Sequence, residues 1–313
     1  QKMSKALVII KSMGLGDIII LSPYIDQISK HINKPVVVLA QKNTHANAIF
    51  KHSPYVENVI ELNKKGFFSI IDKIRPKEFD QTYIFSDSIR LYLISRFSGI
   101  KKNFHYAFFS KKGKNFFRTA KNFTQDILKK EIESQPKIYC NSKEVEEAKQ
   151  KFNISNNKKN IVAGISASGP TKRWDVKNYI KLFEEINKRF PSRFFLAGGP
   201  NDENIIQEVL NSSIGENCLS FSKMSISQTI PIISLCDVSI SNDTGFGHIS
   251  SALGLKSLFL FMDSPPLSYG VYSKNISIII PQGESIDSCS HNTKGKNKIS
   301  FNEVLNKALE LLN

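Results

Sequence analysis

Long apolar runs are missing from this 313-residue chain. The longest, such as residues 6–10 and 276–280, stop far short of the roughly 20 residues that span a bilayer, which excludes a transmembrane helix. The early cations Lys2 and Lys5 are followed by an apolar run that meets Lys11 after a few residues, with no small-residue cleavage site. A signal peptide is therefore not expected, and a cytoplasmic protein is. Cys140, Cys218, Cys236 and Cys289 stand far apart without a C-x-x-C pair, so zinc or dithiol chemistry is not expected and the thiols read as reduced and structural. None of the RRM, KH, helix-turn-helix or zinc-finger signatures occurs, and nucleic acid is not expected as a partner.

What is present belongs to an ordinary folded protein, with 41% hydrophobic and 23% charged residues. The length favours two domains. Charge is the unusual feature. Residues 1–150 hold 26 Lys and Arg against 14 Asp and Glu, so +12 of the net +15 falls in the first half. Within it, residues 101–130 carry nine basic residues and one acid, interleaved with Phe104, Phe108, Phe109, Phe116, Phe117 and Phe123. Lys101, Lys102, Lys111, Lys112, Lys114 and Arg118 therefore read as contacts for an anionic or membrane-surface partner. A solvated basic loop is the plainer alternative.

Short β-rich runs alternate with helical patterns throughout, as in parallel βαβ units of an α/β fold. The first half predicts strands near 6–10, 36–40, 56–60 and 82–85, with helices near 17–31, 44–52, 69–74 and 86–97. Residues 98–135 are weakly periodic and read as loop with short elements. A polar helix over 144–152 leads to an Asn- and Lys-rich linker, which divides the chain into domains 1–154 and 155–313. Further strands are expected near 161–165, 193–197, 238–241 and 257–261, closed by an amphipathic helix over 300–312.

Four motifs sit where these strands end. The first strand runs into Ser12-Met13-Gly14-Leu15-Gly16-Asp17, and Gly14 and Gly16 let a ligand approach the backbone. A dinucleotide fingerprint is disfavoured, because Ile19 occupies the third glycine position and strand two ends at Ala40-Gln41 without an acid. What remains is Asp17 as a carboxylate at the crevice, or as a helix N-cap. Ser166 to Trp174 offers Ser168 and Lys172 to a diphosphate, with Trp174 as the packing anchor. Gly198-Gly199-Pro200-Asn201-Asp202-Glu203 places acids within reach of ribose hydroxyls. Asn242-Asp243-Thr244-Gly245-Phe246-Gly247-His248 starts a helix whose first N–H groups make an anion site, unless Asp243 or Thr244 merely caps it.

This order of Gly-x-Gly-Asp, Lys-x-Trp, Gly-Gly-Pro with acids and Asp-Thr-Gly-x-x-His resembles glycosyltransferase family nine, the ADP-heptose:lipopolysaccharide heptosyltransferases, over nearly the whole chain. The resemblance implies a GT-B fold of two facing Rossmann-like domains, the first binding acceptor and the second nucleotide sugar. It implies an inverting transfer of heptose from ADP-heptose to the inner core of lipopolysaccharide or lipooligosaccharide. The nucleotide sugar is a substrate, and no cofactor is expected. By the same resemblance Asp17 is the base and Lys172 the donor-phosphate lysine. Ser168, Asp243, Thr244, Gly245, Gly247 and His248 surround the donor, with Met224 against its base and Glu203 at its ribose. Gly14 and Gly16 lie on the acceptor side. No D-x-D pair of metal-chelating acids occurs, so a metal-free mechanism is expected. The acceptor would be an anionic glycolipid met peripherally at the inner membrane's cytoplasmic face. One departure stands out: the family's usual Gly-Pro-Thr is replaced by Met262-Asp263-Ser264-Pro265-Pro266, which leaves the sugar open. Alternatives are another nucleotide sugar with a capsule, O-chain or protein acceptor, a nucleotide-sugar epimerase or hydrolase, and a non-catalytic glycan- or sugar-nucleotide-binding protein.

Overall fold

A computed structural model describes residues 4–11, 14–62, 66–109, 113, 115–133 and 135–313. The chain divides between Tyr139 and Cys140 into two units. The sequence pattern placed the division near residue 154. The polar helix over 142–151 goes with the second unit, where it packs on the helix over 226–234.

The first unit alternates β1 (Ala6–Ile10), α1 (Leu15–Ile32), β2 (Val36–Gln41), α2 (Ala46–Ile49), β3 (Val56–Leu62), α3 (Phe67–Ile74), β4 (Gln81–Phe85), α4 (Ile89–Phe97) and β5 (Lys102–His105), then α5 (Tyr106–Phe109) and α6 (Phe116–Leu128). All pairings are parallel, in the order β3-β2-β1-β4-β5. β1 and, up to Ala40, β2 are continuous apolar runs because helices cover both faces of a parallel sheet and bury those side chains; only Gln41 at the end of β2 is exposed.

Residues 98–135 are more ordered than expected of a loop. β5 adds the edge strand, and α6 is a 13-residue helix whose Phe117, Ala120, Phe123, Thr124 and Leu128 form a buried stripe that packs on α1. Arg118, Lys121 and Asn122 between those positions mask the period in the sequence. The phenylalanines divide between core and surface. Phe117 and Phe123 are buried, Phe104 stacks on Tyr83 at 4.8 Å, and Phe108 stays 65% exposed.

The second unit runs α7 (Ser142–Lys151), β6 (Lys159–Gly164), α8 (Val176–Arg189), β7 (Ser192–Ala197), α9 (Glu203–Leu210), β8 (Cys218–Ser220), α10 (Ile226–Ser234), β9 (Val238–Asn242), α11 (Gly245–Ala252), β10 (Lys256–Leu260), α12 (Pro266–Tyr269), β11 (Ile276–Ile279) and α13 (Phe301–Leu312). Its parallel sheet has the order β11-β10-β9-β6-β7-β8. Renumbered within each unit, both sheets follow the doubly wound order 3-2-1-4-5, extended by a sixth strand in the second. In such sheets ligands bind beyond the carboxyl ends where the order reverses, here between β1 and β4 and between β6 and β9. Among the described residues no helix is long and apolar enough to cross a membrane.

Candidate active site

In the second unit three strand ends are laced together by buried polar side chains. Asn242, the last residue of β9, is wholly buried. Its Oδ1 accepts from the Trp174 backbone N–H at 3.1 Å and the Tyr179 hydroxyl at 2.8 Å, while its Nδ2 donates to the carbonyls of Ile165 at 3.2 Å and Ser166 at 3.0 Å. One amide thus binds both ends of the loop that follows β6. Satisfying all four of its bonds offsets the cost of burying it. Trp174 anchors the same loop, buried with its indole edge-on to Tyr179 and stacked on Phe301. Between these anchors Pro170–Lys172 forms a 3-10 turn in which the Lys172 N–H donates to Gly169 O at 3.2 Å. Ser168 lies exposed at its rim.

The turn is also held from β10. Asp263 Oδ2 accepts from Thr171 Oγ1 at 2.6 Å and Oδ1 from the Lys294 N–H at 2.7 Å. Burial pushes its carboxyl pKa up, but these bonds, a backbone bond from Asn292 and the Lys172 ammonium hold it below the usual carboxylate range. The neighbouring Ser264 Oγ donates to Asp243 Oδ2 at 2.8 Å. The substituted loop is therefore wired into the site, and its departure from Gly-Pro-Thr was the signal in the sequence.

Asp243 is set by a chain of buried groups. Burial, and secondarily Asp243, raises the Tyr272 pKa well above its usual value, so the phenol stays protonated. Its hydroxyl meets His248 Nδ1 at 2.5 Å, and His248 Nε2 meets Asp243 Oδ1 at 3.2 Å. The imidazole thereby bridges the buried phenol and the Asp243 carboxylate. Nothing in the sequence distinguishes Tyr272, 24 residues beyond His248.

Three residues grouped as donor contacts turn inward instead. His248 is 2% exposed. The Thr244 hydroxyl is buried beside Gly164 and, among the described residues, has no partner. A Cβ on Gly247 would lie 2.4 Å from Ser241 Oγ and 2.7 Å from Phe259, so glycine is there to bring α11 onto the sheet. Thr244 is the N-cap without a side-chain cap bond, and the N–H groups of Gly247 and His248 bond back to its carbonyl. The first-turn N–H groups of Gly245 and Phe246 have no carbonyl a turn earlier, and they open toward an anion with the positive end of the helix dipole.

Glu203 and Met224 come together at the far side of this sheet. Glu203 accepts from Gln207 Nε2 at 2.9 Å. That bond, one from Ser222 and the charge of Lys223 lower its pKa, and Met224 follows in the same turn, half-buried. Asp202 is occupied in taking a 2.9 Å bond from the Gly199 N–H.

In the first unit Gly14 is the extended N-cap of α1, with open space where a Cβ would stand. Gly16 and Asp17 follow in the first turn, so Asp17 is not the cap. Around the same carboxyl ends lies a cavity of about 500 Å³ lined by Lys11, Lys42, Arg90, Gln41, Asn43 and Ser88 over an apolar floor that includes Ile9 and Leu62. These cations are scattered in the sequence and only the fold gathers them. Lys101 and Lys102 lie elsewhere: Lys102 pairs in register with Gln81 at the amino end of β4, opposite Asp17 along the sheet, and its ammonium sits over Phe104 at 5.2 Å. Arg118 is in the first turn of α6 with its guanidinium over Phe117. Lys111, Lys112 and Lys114 fall outside the described residues.

Comparison with known proteins identifies the family and the fold. The family model for glycosyltransferase family 9 (heptosyltransferase) matches residues 114–299. Lipopolysaccharide heptosyltransferase 1 of Campylobacter coli is 25% identical over 91% of this chain and 92% of its own. The structure of E. coli ADP-heptose lps heptosyltransferase II superposes with a TM-score of 0.78 at 20% identity, covering 98% of both chains. A glycosyl transferase family 9 structure from Veillonella parvula DSM 2008 gives 0.82 at 17% identity, covering 100% of this chain and 98% of that one.

Proposed function

The chain belongs to glycosyltransferase family 9, and from that premise we propose that it moves a heptose from ADP-heptose to the inner core of a lipopolysaccharide or lipooligosaccharide, with inversion and without a metal ion. The observation that carries this reading is the convergence of the Lys172 turn and the open N-terminus of α11 on one switch point, stapled by Asn242. An ammonium and free helix N–H groups together supply what a departing diphosphate needs.

The donor diphosphate is held by Lys172 and the backbone at Gly245 and Phe246, with Ser168 at the rim. Asp243, oriented by His248 and Ser264, accepts from sugar hydroxyls. Glu203 takes the ribose and Met224 the base. Asp17 removes the proton from the acceptor hydroxyl as its oxygen attacks the anomeric carbon. The bond from that carbon to the phosphate oxygen breaks on the opposite face, and the nucleoside diphosphate leaves with its charge met by Lys172 and α11. Gly14 and Gly16 let the acceptor approach Asp17. The acceptor's anionic groups enter the cavity of Lys11, Lys42 and Arg90. Arg118 and the basic segment that includes Lys111, Lys112 and Lys114 meet the anionic glycolipid surface at the inner membrane's cytoplasmic face.

The Asp263 and Ser264 loop favours one second reading, a different nucleotide sugar in the same site. Incubating the protein with inner-core oligosaccharide and ADP-heptose, UDP- or GDP-sugars separates the two. The expected result is one heptose added per ADP released, anomeric inversion by NMR, and undiminished rate in EDTA. Faster turnover of another donor would select the second reading, and activity lost in EDTA but restored by magnesium would remove the metal-free mechanism.

A further inference from the structure

We propose that Asp263 is a positioning residue for Lys172, its carboxylate tethering the Pro170–Lys172 turn where the ammonium meets the donor diphosphate; this rests on the donor site assigned above.

The loop between β6 and α8 is anchored at Ile165 and Ser166 by Asn242 and at Trp174 by the core. Between those anchors Ser168 and Pro170 are exposed and Lys172 is only half-buried. The tether falls on Thr171, the residue before Lys172. Its 2.6 Å bond to Asp263 is in the range of a charge-assisted hydroxyl-to-carboxylate bond. Asp263 is itself immobilised, 7% exposed and bonded by the Lys294 N–H. The next residue, Gly295, donates its N–H to Met262 O at 2.8 Å. The Lys172 ammonium acts on the same carboxylate through space as the least of the influences on it, and the turn itself is fixed by the Thr171 bond. A carboxylate suits this because it can accept on both oxygens. Asparagine keeps both contacts only as neutral bonds, its oxygen accepting from the Lys294 N–H and its amide donating to Thr171 Oγ1, and it carries no charge.

Four variants test it: Asp263→Ala, Asp263→Asn, Thr171→Val and Lys172→Ala. Amide exchange over residues 166–174 of the unliganded protein, affinities for ADP and AMP by calorimetry, and the unfolding midpoint are read for each. Asp263→Ala and Thr171→Val should each speed exchange in that segment by about tenfold and weaken ADP by about tenfold, the scale of one charged hydrogen bond. AMP affinity should hold in both; the midpoint should hold in Thr171→Val and fall in Asp263→Ala, which also strands the Lys294 N–H. Combining the two should cost no more than either alone, Asp263→Asn should fall between, and Asp263→Ala should add nothing on top of Lys172→Ala. Unchanged exchange in Asp263→Ala, additive losses, or equal weakening of ADP and AMP with a fallen midpoint would each overturn the proposal. A wild-type protein that binds no ADP while exchange responds as described would overturn the donor-site reading and support the tether.

Discussion

At the carboxyl ends of β1 and β2 and at the start of α4, the first unit carries Lys11, Lys42 and Arg90 around an open cavity. At the ends of β6, β9 and β10, the second unit carries Asn242, Asp243 and Asp263, each hydrogen-bonded to a neighbouring loop. Both sheets reverse order at the same relative point, so topology locates a crevice in each without deciding its contents. The second crevice is held in place by hydrogen bonds within the protein itself, as a small nucleotide requires of groups that must sit within fractions of an ångström. The first is wide and cationic, suited to a large anion gathered by charge.

Two buried aspartates sharpen the contrast. Asp26, on α1, has its pKa raised from 3.8 to about 7 by burial, against the opposing charges of Lys30 and Lys137. Asp263 goes the other way because hydrogen bonds outweigh burial. Placement in an apolar interior and placement in a prepared polar site therefore give one residue type opposite behaviour.

The largest break in this picture should come from Asp17→Asn, which preserves shape but cannot accept a proton. Transfer should fall by roughly 10² to 10⁴ while ADP affinity stays within a few fold. Near-normal turnover in a steady-state assay would take Asp17 out of the base role. Lys172→Ala acts on the second crevice and should cost about ten- to a hundredfold in rate, the scale of a charged hydrogen bond; an unaffected rate would leave the leaving group to α11 alone. The charge-gathering role of the first crevice is tested by neutralising Lys11, Lys42 and Arg90 together. Acceptor KM should rise by about tenfold and lose salt dependence, whereas neutralising Lys101 and Lys102 should change it less than about twofold. The reverse ranking would return the acceptor to the other end of the sheet.

The smallest effect is on stability. Between about pH 4 and 7 native Asp26 keeps a proton that the unfolded chain has lost, so its contribution falls as pH rises through that window. Asp26→Asn should flatten the slope and raise the unfolding midpoint at pH 8 by a few degrees; a midpoint that drops at pH 8 would mean that the ionised carboxylate is stabilising. Asp263 has the opposite sign: its contribution is present above the unfolded pKa and is lost as pH falls through its lowered native value.

Much of this molecule was legible without coordinates. The run at β1, the Gly-rich turn after it, and the β9 strand leading into Asp243 are local signals, since an apolar run of strand length and a capping residue act on their immediate neighbours. The same holds for Trp174 as an anchor. The helix α6 was not legible, because its stripe becomes apolar only against α1 while basic residues dominate the local average. β8 and β11 are short edge strands defined by their pairing to β7 and β10.

The sequence by itself determined the alternation of strand and helix, the excess of positive charge in the first half, and the four motifs at strand ends. Only the tertiary structure decided which residues of those motifs face the crevice and which turn into the core. Thr244, Gly247 and His248 turn inward because α11 must close onto β9 and β10, while Asp263, Ser264 and Tyr272 are drawn in from distant parts of the chain. It also sent Lys101 and Lys102 to the amino end of the sheet and brought Lys11, Lys42 and Arg90 around one cavity. Strand direction and sheet order set these juxtapositions, and both arise from pairing between segments far apart in sequence, which no local pattern encodes.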